Sequence, residues 1–285
     1  MNYRVTNCND RRRRHNLHIH RIREHHVLMA QFPNTTSASD IWSLRDIYKA
    51  VAGDKWPEVS LPVDPNFVSV SLLLNGDGAN GSTTFTDLSN NALTVSAQGN
   101  AQVSTSVFKY GTGSMAFDGS GDRLQISNNS LLDLGTGDFT IECWVYSTTP
   151  LGDYTLDYAH IAGKGSGNSS GTYALGFYQS NIYFAVAGSN DGQGATTLTN
   201  NTWYHFAATR ESGTLRLFVN GVLDYSGSLP DQLNSSESFN IGDRKESDPT
   251  ANYPMAGYVD DLRVTKGVAR YTATFTPPTD AFPTE

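Results

Sequence analysis

The chain has 285 residues, 38% of them hydrophobic and 11% aromatic, enough to build a real core and to exclude global disorder. Only 17% are charged, against roughly 25% in typical globular domains, and Gly, Ser, Thr and Asn fill the difference, residues that suit turns and solvent-facing strand positions. The formal net charge of −8 is divided: residues 1–28 hold seven Arg against Asp10 and Glu24, a surplus of +5, so the remainder carries −13, which argues against nucleic-acid binding by the folded part.

Residues 1–28 are rich in Arg and His and show no periodicity a core could use, so they read as a disordered basic extension. Two accounts of it stay open, a tail for nucleic acid or an anionic surface and a translated upstream piece before Met29. His15, His18, His20, His25 and His26 are irregularly spaced and lack Cys or acidic partners, which is poor material for a metal site. Arg11–Arg14 is followed by no apolar stretch of the kind a secretion signal needs, and no apolar run reaches transmembrane length. Cys8 and Cys143 read as two free thiols.

Residues 29–66 read as a helical docking segment and a linker. Ser39 or Asp40 supplies an N-cap, and Ile41, Leu44, Ile47, Tyr48 and Val51 recur at helical spacing up to Gly53. Pro57, Pro62 and Pro65 mark an extended linker. The short helix is marginal alone, so its apolar stripe should pack on the rest of the chain or on neighbouring copies.

From Phe67 to residue 285 the pattern changes to short alternating runs broken by turn residues, the habit of an all-β sandwich. Strands are predicted at Val68–Leu74, Ser114–Phe117, Leu124–Ser127, Phe139–Tyr146, Tyr173–Tyr178, Ile182–Ala187, Trp203–Arg210, Leu215–Asn220 and Tyr258–Thr265. Glu211-Ser212-Gly213 and Asn220-Gly221 are hairpin turns, giving a meander from Trp203 to about Tyr225.

Several stretches, in order, resemble the laminin-G-like jelly-roll family of the concanavalin A-like lectin/glucanase superfamily. They are Ser114-Met115-Ala116-Phe117-Asp118-Gly119-Ser120-Gly121-Asp122, Phe139-Thr140-Ile141-Glu142-Cys143-Trp144-Val145, Trp203-Tyr204-His205-Phe206, Leu217-Phe218-Val219-Asn220-Gly221 and Gly257-Tyr258-Val259-Asp260-Asp261-Leu262-Arg263-Val264. The resemblance implies a jelly-roll β-sandwich of two antiparallel sheets, one of them concave. Two flanking pieces are similar to marine phage structural proteins: Trp42–Tyr48 with Gly53–Pro57, and Ala269–Thr272 with Phe275–Pro278 and Phe282-Pro283. They imply a virion component exposed on the particle surface, held to other virion proteins through residues 29–56, with a homo-oligomer as one arrangement.

Some relatives of this fold hydrolyse glycans with two carboxylates about 5–5.5 Å apart, set on one strand face as Glu-x-Asp-x-x-Glu. Neither Glu142 nor Glu237 has an acidic partner two residues on, and no nucleophile elbow or zinc-protease motif occurs. A non-enzyme is expected. Asp77, Asp118, Asp122 and Asp260 lie at strand ends or in Gly-rich loops, and the family's frequent calcium is carried over to Asp118, Asp122 and Asp260, which stand in the matching motifs. For a glycan, alternation along Phe139–Tyr146 gives Phe139, Ile141, Cys143 and Val145 to the core and leaves Glu142, Trp144 and Tyr146 for the concave face, with Arg244, Asn252 and Tyr253 on a nearby rim. The leading expectation is a lectin-like virion protein, and the alternative is a decoration or assembly module with no small ligand.

Overall fold

β-Branched and aromatic residues alternating with Ser, Thr and Asn bury only one side of a strand, and two such sheets must close face to face. The computed structural model shows that arrangement, and describes residues 63–150, 158–165, 169–244 and 253–285. The expected helix near 40–52 lies outside the described residues, as does Asn252. Fifteen strands occur among the described residues: β1 (Val70–Leu74), β2 (Ser96–Gln98), β3 (Gln102–Ser104), β4 (Ser114–Asp118), β5 (Arg123–Ile126), β6 (Phe139–Ser147), β7 (Tyr158–Lys164), β8 (Tyr173–Tyr178), β9 (Asn181–Val186), β10 (Ser189–Gln193), β11 (Trp203–Glu211), β12 (Thr214–Val219), β13 (Val222–Ser228), β14 (Phe239–Ile241) and β15 (Ala256–Lys266). No helix among them is long and apolar enough to cross a membrane.

All pairings are antiparallel. One sheet runs β13-β12-β11-β6-β15-β4-β3, with β1 also joined to β15, and the other runs β10-β9-β8-β7-β14-β5-β2. Between them lies a single core that includes Phe139, Ile141, Cys143 and Val145 of β6, Phe206 and Ala208 of β11, and Leu175, Phe177 and Phe184 of the facing sheet. Both hairpin turns of the meander put two residues in the left-handed region, Ser212 at φ 49° with Gly213 at 77°, and Asn220 at 48° with Gly221 at 76°. That geometry matches the twist of the strands it joins.

Two features set the outer face of the larger sheet. Asp261, at φ 46°, sits in a bulge of β15 between Asp260 and Arg263. The extra residue restores alternation so that Leu262 and Val264 enter the core while Asp260, Arg263 and Thr265 face outward. The sandwich also begins before Phe67: Asp64, on the linker side of the expected boundary, is buried, and its N–H donates to the carbonyl of Glu285 at 2.9 Å. The two ends of the fold therefore meet.

Candidate glycan-binding groove

Register across β11, β6 and β15 arranges the outer face of the larger sheet in rows. Trp203, Tyr146 and Tyr258 form the first, then His205, Trp144 and Asp260, then Ala207, Glu142 and Arg263, then Thr209, Thr140 and Thr265. The last three rows are buried and the first is half-exposed. Burial thus changes abruptly along one continuous sheet face.

The buried rows are sealed by the segment after Gly267, by Asp64 and by the loop that carries Lys109 and Tyr110. Thr140 Oγ1 donates to Val268 O at 3.0 Å, Thr209 Oγ1 to Tyr271 O at 2.8 Å, and Tyr110 O–H to Pro278 O at 2.8 Å. Tyr271 and Phe275 stack at 3.5 Å between ring centroids, and Phe275 meets the rings of His205 and Phe218 edge-on. Beneath them lies a network of two arginines and two carboxylates. Arg263 donates to Glu142 Oε1 and, at 3.0 Å, to Asp64 Oδ2, Arg270 donates to both oxygens of Asp64, and Tyr271 O–H donates to Glu142 Oε2 at 2.8 Å. Burial opposes the charge on Glu142, but Arg263, His205 and Arg270 outweigh it and hold its pKa down to about 2.

This corrects two expectations. Glu142 and Trp144 do stand on the outward side of β6, but they are 0% and 5% exposed, and a sugar cannot reach them. Glu142 is a structural counter-ion, and its engaged oxygens also unfit it as a saccharide acid or base. Trp144 lies under Lys109, whose Nζ is 4.0 Å from the ring centroid, and against His205 at 5.2 Å. Among the described residues Trp144 Nε1 and His205 Nδ1 are buried without a hydrogen-bond partner, while His205 Nε2 lies 3.4 Å from Glu142 Oε2.

Tyr146 is different. Its ring is 5.4 Å from Trp203 on one side and 5.8 Å from Tyr258 on the other, and all three rings reach solvent. The same register line continues through Ala116 of β4 to Gln102 of β3, the last of them exposed. The small side chain of Ala116 leaves depth beside Tyr258. There a groove of about 640 Å³ opens, lined by Thr83, Asn100, Gln102, Asp118, Thr148 and Tyr258 among others. Hydrophobic ring faces at one end and amide, hydroxyl and carboxylate groups at the other are the two kinds of contact a sugar needs.

The structure does not bring the three aspartates expected to hold calcium together. Asp122 is buried, accepts from Asn100 N–H with Oδ1 and from Asp118 N–H with Oδ2 at 2.9 Å, and so closes the turn. Asp118 accepts from Ser120 N–H at 2.8 Å and Asn100 Nδ2 at 3.2 Å. Asp260 stands apart in the second row and accepts from the N–H groups of Lys109, Tyr110 and Asp261. Calcium asks for six to eight oxygens, and these carboxylates already serve backbone donors. Among the described residues no group of three or more His, Cys, Asp or Glu is arranged for a metal ion.

Arg244 and Tyr253 lie on the other sheet and do not join Tyr146. Arg244 stacks over the Tyr253 ring at 4.1 Å, and Tyr253 meets Tyr158, which in turn stacks on Tyr178 at 4.3 Å. Asp243 Oδ1 ties both feet of this loop, accepting from Arg244 N–H at 2.7 Å and Tyr253 N–H at 2.9 Å. Burial raises the Asp243 pKa to about 6 against those two hydrogen bonds. Nearby His160 donates from Nε2 to Asn240 O at 3.1 Å, and burial holds its pKa down to about 3.

Trp203 and Tyr258 were not singled out from the sequence. Each has the half-apolar character of a sugar platform, but what makes them a site is their register opposite Tyr146, which no single strand reveals.

Residues 118–270, just over half of the chain, match a laminin-G family model described as the concanavalin A-like lectin/glucanases superfamily. No curated protein sequence matches the chain significantly. Among solved structures, the binding domain of Paraclostridial Mosquitocidal Protein 1 is similar over 70% of this chain and 49% of its own, with 13% identity and a TM-score of 0.56. The botulinum neurotoxin serotype C1 binding domain is similar over 71% of this chain and 50% of its own, with 17% identity and a TM-score of 0.54. The serotype D binding domain gives 71%, 49%, 17% and 0.51 in the same order. The chain spans about half the length of each, and identities this low speak to the fold alone.

Proposed function

The chain belongs to the concanavalin A-like lectin/glucanases superfamily, and from that premise we propose that it is a non-catalytic carbohydrate-binding domain whose ligand lies on the Trp203–Tyr146–Tyr258 row. The observation that carries this reading is the row itself: three half-exposed aromatic rings in register, running into a polar groove. The likeness to solved binding domains supports it. Glu142, sealed and paired with Arg263 and Tyr271, is not available as either of the two carboxylates that a glycanase of this fold needs.

The setting we propose is a virion surface, with the glycan on a host cell or in its surroundings. It rests on the sequence resemblance of residues 42–57 and 269–283 to phage structural proteins, and the second of these segments forms the strap over the larger sheet. Retention on a panel of insoluble polysaccharides, comparing the wild type with Trp203→Ala and Tyr258→Ala, tests the binding function. Wild-type retention that both variants lose supports it. No retention on any polysaccharide would favour the purely structural decoration module instead. Mass spectrometry of purified particles tests the virion setting.

A further inference from the structure

We infer that the ligand is a neutral glycan several sugar units long that crosses the strands of the larger sheet at right angles, from Trp203 to Gln102. The inference rests on the carbohydrate-binding reading and narrows it in charge and in length.

Length follows from the register line. Trp203, Tyr146, Tyr258, Ala116 and Gln102 occupy five adjacent strands in one row. Neighbouring strands lie about 4.8 Å apart, so the line is roughly 19 Å long, well beyond the reach of one sugar ring. The stacking surfaces stand at the β11 end and the hydrogen-bonding groups at the β3 end. A monosaccharide can use one set or the other, and only an oligosaccharide uses both.

Charge follows from what the line lacks. None of the five residues is basic, and among the described residues the groove beside them is lined by Thr83, Asn100, Gln102, Asp118 and Thr148 with no Lys, Arg or His. Asp118 is exposed, and hydrogen bonds from Asn100 and Ser120 outweigh partial burial to keep its carboxyl below the usual carboxylate range, so it is ionised at neutral pH. Its oxygens accept from Asn100 Nδ2 and Ser120 N–H, and an exposed carboxylate keeps lone-pair capacity for a sugar hydroxyl. A uronate, sulfate or sialyl group would meet this carboxylate with no cation to offset it, within a chain that carries −13 beyond residue 28. The neighbouring cations do not line the groove: Lys109 lies over Trp144, and Arg263 is paired with Glu142 and Asp64.

Isothermal titration with gluco-, manno- and galacto-oligosaccharides from mono- to hexasaccharide, beside oligogalacturonates of equal length, tests both parts. We expect affinity for a neutral series to rise about tenfold or more with length and then level off, and oligogalacturonates to bind about tenfold more weakly, a gap that Asp118→Asn narrows. Trp203→Ala should flatten the length dependence, and Gln102→Ala, on an exposed edge strand where folding is little affected, should lower the plateau. Uronates binding as well as neutral sugars, or affinity independent of length, would overturn this inference while leaving the lectin reading intact. Binding of no saccharide at all, neutral or acidic, would overturn both.

Discussion

Arg263 places two nitrogens on one oxygen of Glu142, Nε at 3.0 Å and Nη2 at 2.8 Å, with both side chains out of water. The pair couples β15 to β6, and through Asp64 and Arg270 it binds the first and last segments of the sandwich to its larger sheet.

Removing one member should therefore cost far more than removing both. Glu142→Ala leaves Arg263 buried without its main counter-charge and should lower stability by about 3–5 kcal/mol, seen as a drop in urea midpoint at unchanged slope. A Glu142→Leu/Arg263→Met double variant should recover most of that loss. The folded pKa of Glu142, about 2, is below its unfolded value, so its contribution is complete above the ordinary range and fades as pH falls toward 2. The gap between wild type and Glu142→Gln should close over that acid window.

Asp260 and Asp261 should behave with the opposite sign. Burial raises their pKa values to about 7 and about 8; the charge of Asp260 adds to the rise at Asp261 and Asp77 adds to both, while backbone donors at each, and Arg263 at Asp261, work against it. A folded pKa above the unfolded one means stability that is greatest with both groups protonated and declines as pH climbs from about 4 to 8. Asp261→Asn keeps an acceptor for the Phe282 N–H and suits the positive φ. Its advantage over the wild type should be small at pH 4 and should grow steadily to pH 8 in thermal melts. A constant offset across that range would contradict this account.

Calcium should leave the described sandwich unchanged. Because Asp118, Asp122 and Asp260 each serve backbone N–H groups, adding calcium or removing it with a chelator should not move the melting temperature. A rise of several degrees with calcium, abolished by Asp122→Asn, would show that these turns open to admit an ion.

Gly257 guards the geometry of the aromatic row. It sits at φ 143°, and a Cβ there would collide with the backbone carbonyl of Tyr146. Gly257→Ala should cost about 2–3 kcal/mol in denaturant titrations and should also weaken polysaccharide retention, since it pushes β15 and Tyr258 away from Tyr146.

Much of the fold was legible because alternation is a local property. Phe139, Ile141, Cys143 and Val145 were assigned to the core from spacing alone, and the core contains them. The short strands β2, β3 and β14 are not legible, because three residues carry no period and their strand character comes from their neighbours, and β7 and β10 also lie outside the expected runs. The outward set of β6 was also read correctly as a set, yet its members have different fates. Glu142 is covered by Tyr271, 129 positions away, and Trp144 by Lys109 and Tyr110 of a separate loop, and a strand pattern cannot report a chain that returns over it. Arg263 was hidden for a second reason, since the bulge at Asp261 breaks the alternation that would have placed it opposite Glu142.

The hydrogen bond from Asp64 N–H to Glu285 O gives the sandwich one doorway instead of two. Chain entering at residue 63 and chain leaving at residue 285 would do so side by side, so the unit could be spliced as a guest into a surface loop of another protein without prising that loop apart. The same closeness makes it a natural subject for circular permutation. A short peptide joining 285 to 64, with new ends cut at the turn of the exposed Ser212, should yield a sandwich that still folds with its sheets intact.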